Sequence, residues 1–383
     1  MKSLRTEALM PRSWFSPGGA SPVWALLFAG ALLINGCKET AEAPKDKAAT
    51  NSQDNATTLV VNDFADNVVI PTYEQLVARS TELSEAVDTF VAEPTDAKLE
   101  AAQAAWKAAR TPWEQSEAFA FGPAESLGYD GDLDDWPVNE TDVQAILSSS
   151  DELTSDYIEE LQTTEKGFHT IELLLFGLDN DKQAGDFTGR ELELLKLLAD
   201  AFDNTANELL KSWIDGVEGN PPYRQVFITA GDEDNSAYPT VAAAVEEIVQ
   251  GTIGCLDEVG NEKIGVPLEE KTTDDLESRF SHTSLDDFKN NLLSVQNAYL
   301  GKVPEAGTDG KSVSDLVAEA DADLDKQVQQ ELQAAIEALN AVPDPLEPQI
   351  ADDAAIAKLE TAKQAVLTVF ETVEAKVLPL VQG

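Results

Sequence analysis

The chain has 383 residues and carries 71 Asp+Glu against 26 Lys+Arg, a formal net charge of −45. A field of that sign repels phosphate backbones, which excludes nucleic acid as a partner. Hydrophobic residues make up 43% and recur at helical spacing, so the chain can build cores, while two cysteines and two histidines exclude a disulfide scaffold, a Cys/His zinc finger and an all-histidine metal cage.

At the N-terminus Lys2, Arg5 and Arg12 precede an apolar run from Val23 to Ile34, followed at once by Asn35-Gly36-Cys37. The run is short for a permanent span and has the layout of a secretory signal, with Met10 as an alternative start. Gly36-Cys37 after Leu33-Ile34 resembles the lipobox of bacterial lipoproteins, in which the cysteine is acylated; a plain signal peptide with an incidental cysteine is the alternative. Residues 1–36 are therefore read as a lipoprotein signal peptide. Residues 37–58 contain no large apolar side chain and are read as a flexible tether. The location this implies is the bacterial cell envelope, lipid-anchored through Cys37, on an outer membrane facing either the periplasm or the surface.

From Leu59 the apolar period is near 3.6 throughout. It predicts helices over Tyr73–Val91, Ala97–Phe119, Asp151–Gln162, Phe168–Leu178, Glu191–Val217, Val241–Val259, Ser284–Leu300, Val313–Ala341 and Ala354–Val377. Arg224–Ala230 is the one short strand candidate. A Gly-, Pro- and acid-rich stretch, Asp215–Pro239, is the expected boundary between an N-terminal helical bundle, 59–218, and a C-terminal one, 219–383. The fold class is all-α, two packed antiparallel bundles.

Three segments carry chemistry. In Gly167-Phe168-His169-Thr170-Ile171-Glu172, His169 and Glu172 are three apart, so one helical face can present an imidazole and a carboxylate to one ion. The alternative is a histidine near a helix start bonded to a neighbouring acid. In Trp106 to Phe119, the residues Trp106, Arg110, Trp113 and Glu117 make one stripe, with Glu114 beside it. Acids on a tryptophan stripe need Arg110, a histidine or a cation to offset desolvation. Thr111-Pro112-Trp113-Glu114 also fits a capping box, which would explain Glu114 alone. The third segment, Tyr129–Pro137, alternates aspartates but lacks the glycine and closing glutamate of a calcium-binding EF-hand, so it reads as a solvated turn, with one carboxylate lent to a neighbouring site as the alternative. His282 reads as a capping or loop residue.

Gly167-Phe-His169-Thr-Ile-Glu172 together with Arg110–Phe119 resembles the imelysin family. The segments Gly254–Ile264 and Glu277–Phe288 are similar to its iron-regulated branch, and the likeness runs from about Asn67 to the C-terminus. The resemblance implies two packed helical bundles with the G-x-H-x-x-E residues near a cleft, in a family that includes metallopeptidase-like and iron-uptake members. It carries His169 and Glu172 over as metal-site residues, and Glu114 and Glu117 as the acidic pair. The chain lacks the second histidine of H-E-x-x-H or H-x-x-E-H, so it has no complete zinc-peptidase ligand set, and no catalytic residue is assigned.

A site of His169, Glu172, Glu117 and Glu114 is oxygen-rich and suits a divalent or trivalent ion, iron first, with zinc or calcium as alternatives. The expected function is capture of that ion and assistance in its uptake, with iron-uptake components as partners. The alternatives are a metallopeptidase acting on extracytoplasmic polypeptides and a metal-free scaffold that binds a peptide or partner.

Overall fold

The apolar spacing between Val60 and Phe90 builds a single helical column. Helix α1 (Asp46–Phe64) runs through a widened π-helical turn, Ala65–Val69, into α2 (Ile70–Ala92). Pro71, in the first turn of α2, cannot donate to the ladder, and the widened turn just before it is where the hydrogen-bond register shifts. The computed structural model describes residues 46–382, with side chains from 55 onward. The leader, Cys37 and the first part of the expected tether lie outside the described residues. Residues 46–58, expected as tether, are helical instead; they contain neither Gly nor Pro and extend a helix anchored by buried Val60, Val61 and Phe64.

After a short turn at Glu93–Thr95 comes α3 (Asp96–Glu114), which packs on α2. Pro112 lies inside the last turn of α3 rather than at the start of a new helix, so the capping box expected at Thr111–Glu114 is not formed. Glu117 is carried by a separate 3-10 turn, Glu117–Phe119, and so leaves the stripe of Trp106, Arg110 and Trp113. The aspartate segment is not a solvated turn: Tyr129–Asp134 forms a short helix, α4, pinned by fully buried Leu133. It is followed by α5 (Gly167–Phe176) and the long α6 (Gly189–Ile214), opened by a Thr188/Glu191 capping box. Helix α6 lies along α2, where Ser80 and Ser84 donate hydrogen bonds to Asp203 (2.6 Å) and Asp200 (3.0 Å).

In the second half, α7 (Val241–Asp257) continues into another π-helical turn, Glu258–Lys263. Helix α8 (Ser284–Leu300) packs against α3 and the Glu117–Phe119 turn. Helices α9 (Ala322–Asn340) and α10 (Asp353–Thr372) pair at the C-terminal end. The helix expected over Val313–Ala341 is broken at Asp321, whose side chain accepts from the N–H groups of Asp323 and Leu324 and starts α9 afresh. The strand candidate Arg224–Ala230 is helical over Tyr223–Ile228, because Phe227 is buried on a helical period.

No strand occurs among the described residues, and the fold is all-α. One hydrophobic core runs from Val60 to Val381, with Trp106, Trp113 and Trp213 among its largest fully buried side chains. Each such burial contributes on the order of 2–3 kcal/mol. Around this core, α3, α4, α5, the turn after α7 and α8 converge on one polar cluster.

Candidate metal centre

Helix α3 supplies the scaffold. Trp106 Nε1 donates to the carbonyl of Phe168 (3.0 Å), and Trp113 Nε1 donates to Asp134 Oδ2 (2.6 Å), which ties α3 to the start of α5 and the end of α4. Gly167 has φ +73°, and a Cβ there would lie 2.5 Å from the carbonyl oxygen of Leu133. Only glycine allows α5 to start against the end of α4, which sets His169 beside Asp134.

Arg110, one turn along from Trp106, is the hub. Only 2% exposed, its guanidinium is ion-paired with Glu114 and Asp134, reaches Glu277 at 3.1 Å and Asp287 at 3.5 Å, and lies over the Phe168 ring. His169 Nε2 is 3.1 Å from Asp134 Oδ1, and its Nδ1 is 3.3 Å from Glu172 Oε2. The other oxygen of Glu172 accepts the backbone N–H of Ser281 at 2.7 Å. That turn continues into His282, which holds a positive φ of 59° ahead of α8. Asn291 of α8 donates to Glu114 Oε2 at 2.6 Å. Lys263, set into the cluster by the π-helical turn, donates to Glu277 Oε1 at 2.9 Å and lies 3.8 Å from Glu114.

The electrostatics follow from burial and these pairs. Burial alone would raise Asp134, but Arg110, His169 and Lys263 outweigh it and hold its pKa down to about 2. Burial alone would lower His169, but Asp134 and Glu172 raise it to about 9, so the imidazole is protonated at neutral pH. Burial pushes Glu114 and Glu117 well above the ordinary carboxylate range, against Arg110 and Lys263 respectively. Asp287 rises to about 7 for the same reason.

The carboxylates of Glu114, Glu117, Asp134, Glu172, Glu277 and Asp287 thus face three cations, Arg110, Lys263 and protonated His169. The acids outnumber the cations, and the raised pKa values of Glu114, Glu117 and Asp287 are the cluster's response: the excess is carried as protons that an incoming cation can displace. Glu277 Oε2 and Asp287 Oδ2 have no hydrogen-bond partner there, while Glu114 Oε1 and His169 Nε2 are engaged in the ion pairs with Arg110 and Asp134. An excess of buried acids over cations, with the Glu277 and Asp287 oxygens left without a partner, is the chemistry that a cation resolves. The residues fit a metal ion.

Among the described residues, two groups each bring their ligand atoms within 4.8 Å of one another: Asp134, His169 and Glu277, and Glu114, Glu117 and Asp134. The expected residues are therefore distributed. His169 and Glu172 touch, yet Glu172 is engaged with Ser281 and His169; Glu114 and Glu117 form the second group rather than joining His169 directly. Asp134, shared by both groups, is the carboxylate that the aspartate run lends to the site, which the sequence did not single out; Glu277, Lys263, Asp287 and Asn291 were not expected there. The aspartate run and the Glu277 segment were visible signals, but neither says which side chain turns inward. A cleft of about 440 Å³, lined by Lys107, Thr111, Thr283 and Lys289 among others, opens the Arg110–Asp287 edge of the cluster.

Comparison with known proteins shows the family and the fold. A family model described as imelysin matches residues 69–373. The chain is 37% identical over 326 residues to iron-regulated protein A of Synechococcus elongatus, covering 85% of this chain and 87% of that one. The crystal structure of a putative iron-regulated protein A precursor from Parabacteroides distasonis superposes with a TM-score of 0.74 at 28% identity, covering 84% of this chain and 95% of that one. An imelysin-like protein from Psychrobacter arcticus gives a TM-score of 0.65 at 14% identity over 87% of this chain and 96% of that one, a likeness of fold.

Proposed function

The chain belongs to the imelysin family, and on that premise we propose that it captures a metal ion, iron first, at the bacterial cell envelope and assists its uptake. The observation that carries this reading is the excess of buried acids over cations around His169, with two three-ligand groups meeting at Asp134. Oxygen donors with one imidazole match iron better than the sulfur- and nitrogen-rich sets that favour zinc. The relative named for regulation by iron supports the choice of ion. A peptidase would need about three ligands to one zinc, an open position and a general base. Here Arg110 and Lys263 bond the same carboxylates, an arrangement for holding a cation.

The chain's own residues account for capture. A cleft borders the cluster at Arg110 and Asp287. Asp134, His169 and Glu277 present the ligand atoms, while Trp113 fixes Asp134 and the Ser281 N–H fixes Glu172. Iron is cargo in this scheme, so release must be as accessible as binding, which suits a site whose carboxylates revert to Arg110 and Lys263. The anchor proposed for this role is lipid on Cys37. No helix among the described residues is long and apolar enough to cross a membrane.

Metal analysis and calorimetry with iron, manganese, zinc and calcium test the reading. One ion per chain is expected, with iron preferred and binding lost in the double variant His169→Ala/Glu172→Ala. Absence of a stoichiometric ion, or unchanged binding in the double variant, would refute it.

A further inference from the structure

Lys263 is the unexpected member of the cluster. Its side chain is 3% exposed, and its ammonium donates to Glu277 Oε1 at 2.9 Å and to Asn291 Oδ1 at 3.5 Å. Glu258 lies 3.7 Å away and Glu114 3.8 Å, and Glu117 adds to the field that favours the charged form. The residue reaches this place because the turn Glu258–Lys263 is π-helical: the extra residue per turn shifts the register that α7 would otherwise continue. A buried lysine normally loses its charge, and here the surrounding carboxylates keep it. Glu277 gives Oε1 to both Lys263 and Arg110, and its buried Oε2 has no hydrogen-bond partner.

We infer that the Lys263 ammonium is a built-in cation that bridges Glu277 and Glu114, one carboxylate from each ligand group, and so limits the cluster to one exogenous metal ion. The inference rests on the metal-binding reading above and adds to it a stoichiometry and the residue that sets it. Two groups of potential ligands share Asp134, so the geometry alone would admit two ions. A fixed positive charge between Glu277 and Glu114 repels a second ion and supplies the neutralisation that ion would bring. Lys263 also keeps those carboxylates compensated when the cargo is absent, which lets the fold survive unloaded.

The test uses the full chain and Mn(II) as the probe, with bound metal counted by elemental analysis after gel filtration and by calorimetry. Wild type is expected to hold one ion and Lys263→Met two, while Lys263→Arg holds one. The metal-free Lys263→Met protein is expected to melt below wild type and to recover on adding metal. If Lys263→Met does not fold, Lys263→Ala in excess ethylammonium provides the second arm. The small amine should restore folding, and Mn(II) should displace it to a final count of two. One ion in Lys263→Met, or no rescue of Lys263→Ala by the amine, overturns the inference. Where wild type holds one ion, that result leaves the metal-binding reading standing; no ion in wild type or in either variant removes both.

Discussion

Oδ1 of Asp134 is the meeting point of two cations: His169 Nε2 lies 3.1 Å from it, and the Arg110 guanidinium is paired with the same oxygen. A carboxylate held between two cations, with its other oxygen fixed by Trp113, has little freedom. It therefore sets both the position and the protonation of His169.

Replacing Asp134 with Asn keeps the shape and removes that charge. We expect metal affinity to fall by at least about a hundredfold, since this residue belongs to both ligand groups. The His169 pKa should also drop from its raised value, because Asp134 is the chief influence raising it. NMR titration of the ring protons reads that shift directly. A variant whose His169 titrates like wild type would contradict the electrostatic account even if metal binding were lost.

The pH dependence has a definite sign. His169 is raised from 6.5 to about 9 in the folded protein. Its stabilising contribution to the metal-free chain is fully present below 6.5 and is lost as pH rises through about 9. An ion bound through His169 must displace the proton, so apparent affinity should climb about tenfold per pH unit and level off once His169 is deprotonated. Calorimetry in buffers of differing ionisation enthalpy should show about one proton released per ion at neutral pH. Affinity that ignores pH over this window would remove His169 from the ligand set.

Gly167 tests the local architecture without touching a ligand. A methyl group there meets the Leu133 carbonyl at 2.5 Å and must hold φ +73°. Gly167→Ala should cost about 2 kcal/mol or more. Because the clash pushes α4 and α5 apart, metal affinity should fall with stability. Gly189→Ala, at the start of α6 with nothing within 4 Å of its Cβ position, serves as the neutral control. Equal melting temperatures for the two variants would refute the close-approach argument.

How much of this was legible in the sequence depends on where helical periodicity continues. His169 and Glu172 lie on an uninterrupted helix, so their three-residue spacing correctly put them in contact. Arg110 and Trp113 were placed on one stripe for the same reason. Glu117 was not, because α3 ends at Glu114 and a 3-10 turn re-aims the next residues. Asp134 was hidden among alternating aspartates, where only tertiary packing of Leu133 and the Trp113 bond decides which one turns inward. Lys263 was the least legible. A π-helical turn breaks the register, and a buried lysine runs against every compositional expectation unless its acidic neighbours are already known.

The proposed envelope location rests on Cys37, outside the described residues. If the lipobox reading holds, cells fed a radiolabelled fatty acid should label this chain, and Cys37→Ala should abolish the label and move the protein from the membrane to the soluble fraction. Label retained in the variant would assign acylation elsewhere. A soluble, unlabelled wild type would leave a cleaved signal peptide as the better account.

Arg110 separates a metal centre from an ion network that is merely structural. It neutralises Glu114, Asp134, Glu277 and Asp287 from a position 2% exposed. Removing one partner of such a buried cluster costs about 3–5 kcal/mol, because the opposite charges remain without water. Arg110→Met should therefore melt well below wild type when metal-free. If the carboxylates are metal ligands, saturating ion should restore more of that loss than it adds to wild type, since the ion replaces the missing charge as well as binding. A purely structural network predicts the same deficit with and without metal. Thermal melts of both proteins across a metal titration decide between the two, and parallel curves would argue that Arg110 stabilises the fold independently of any cargo.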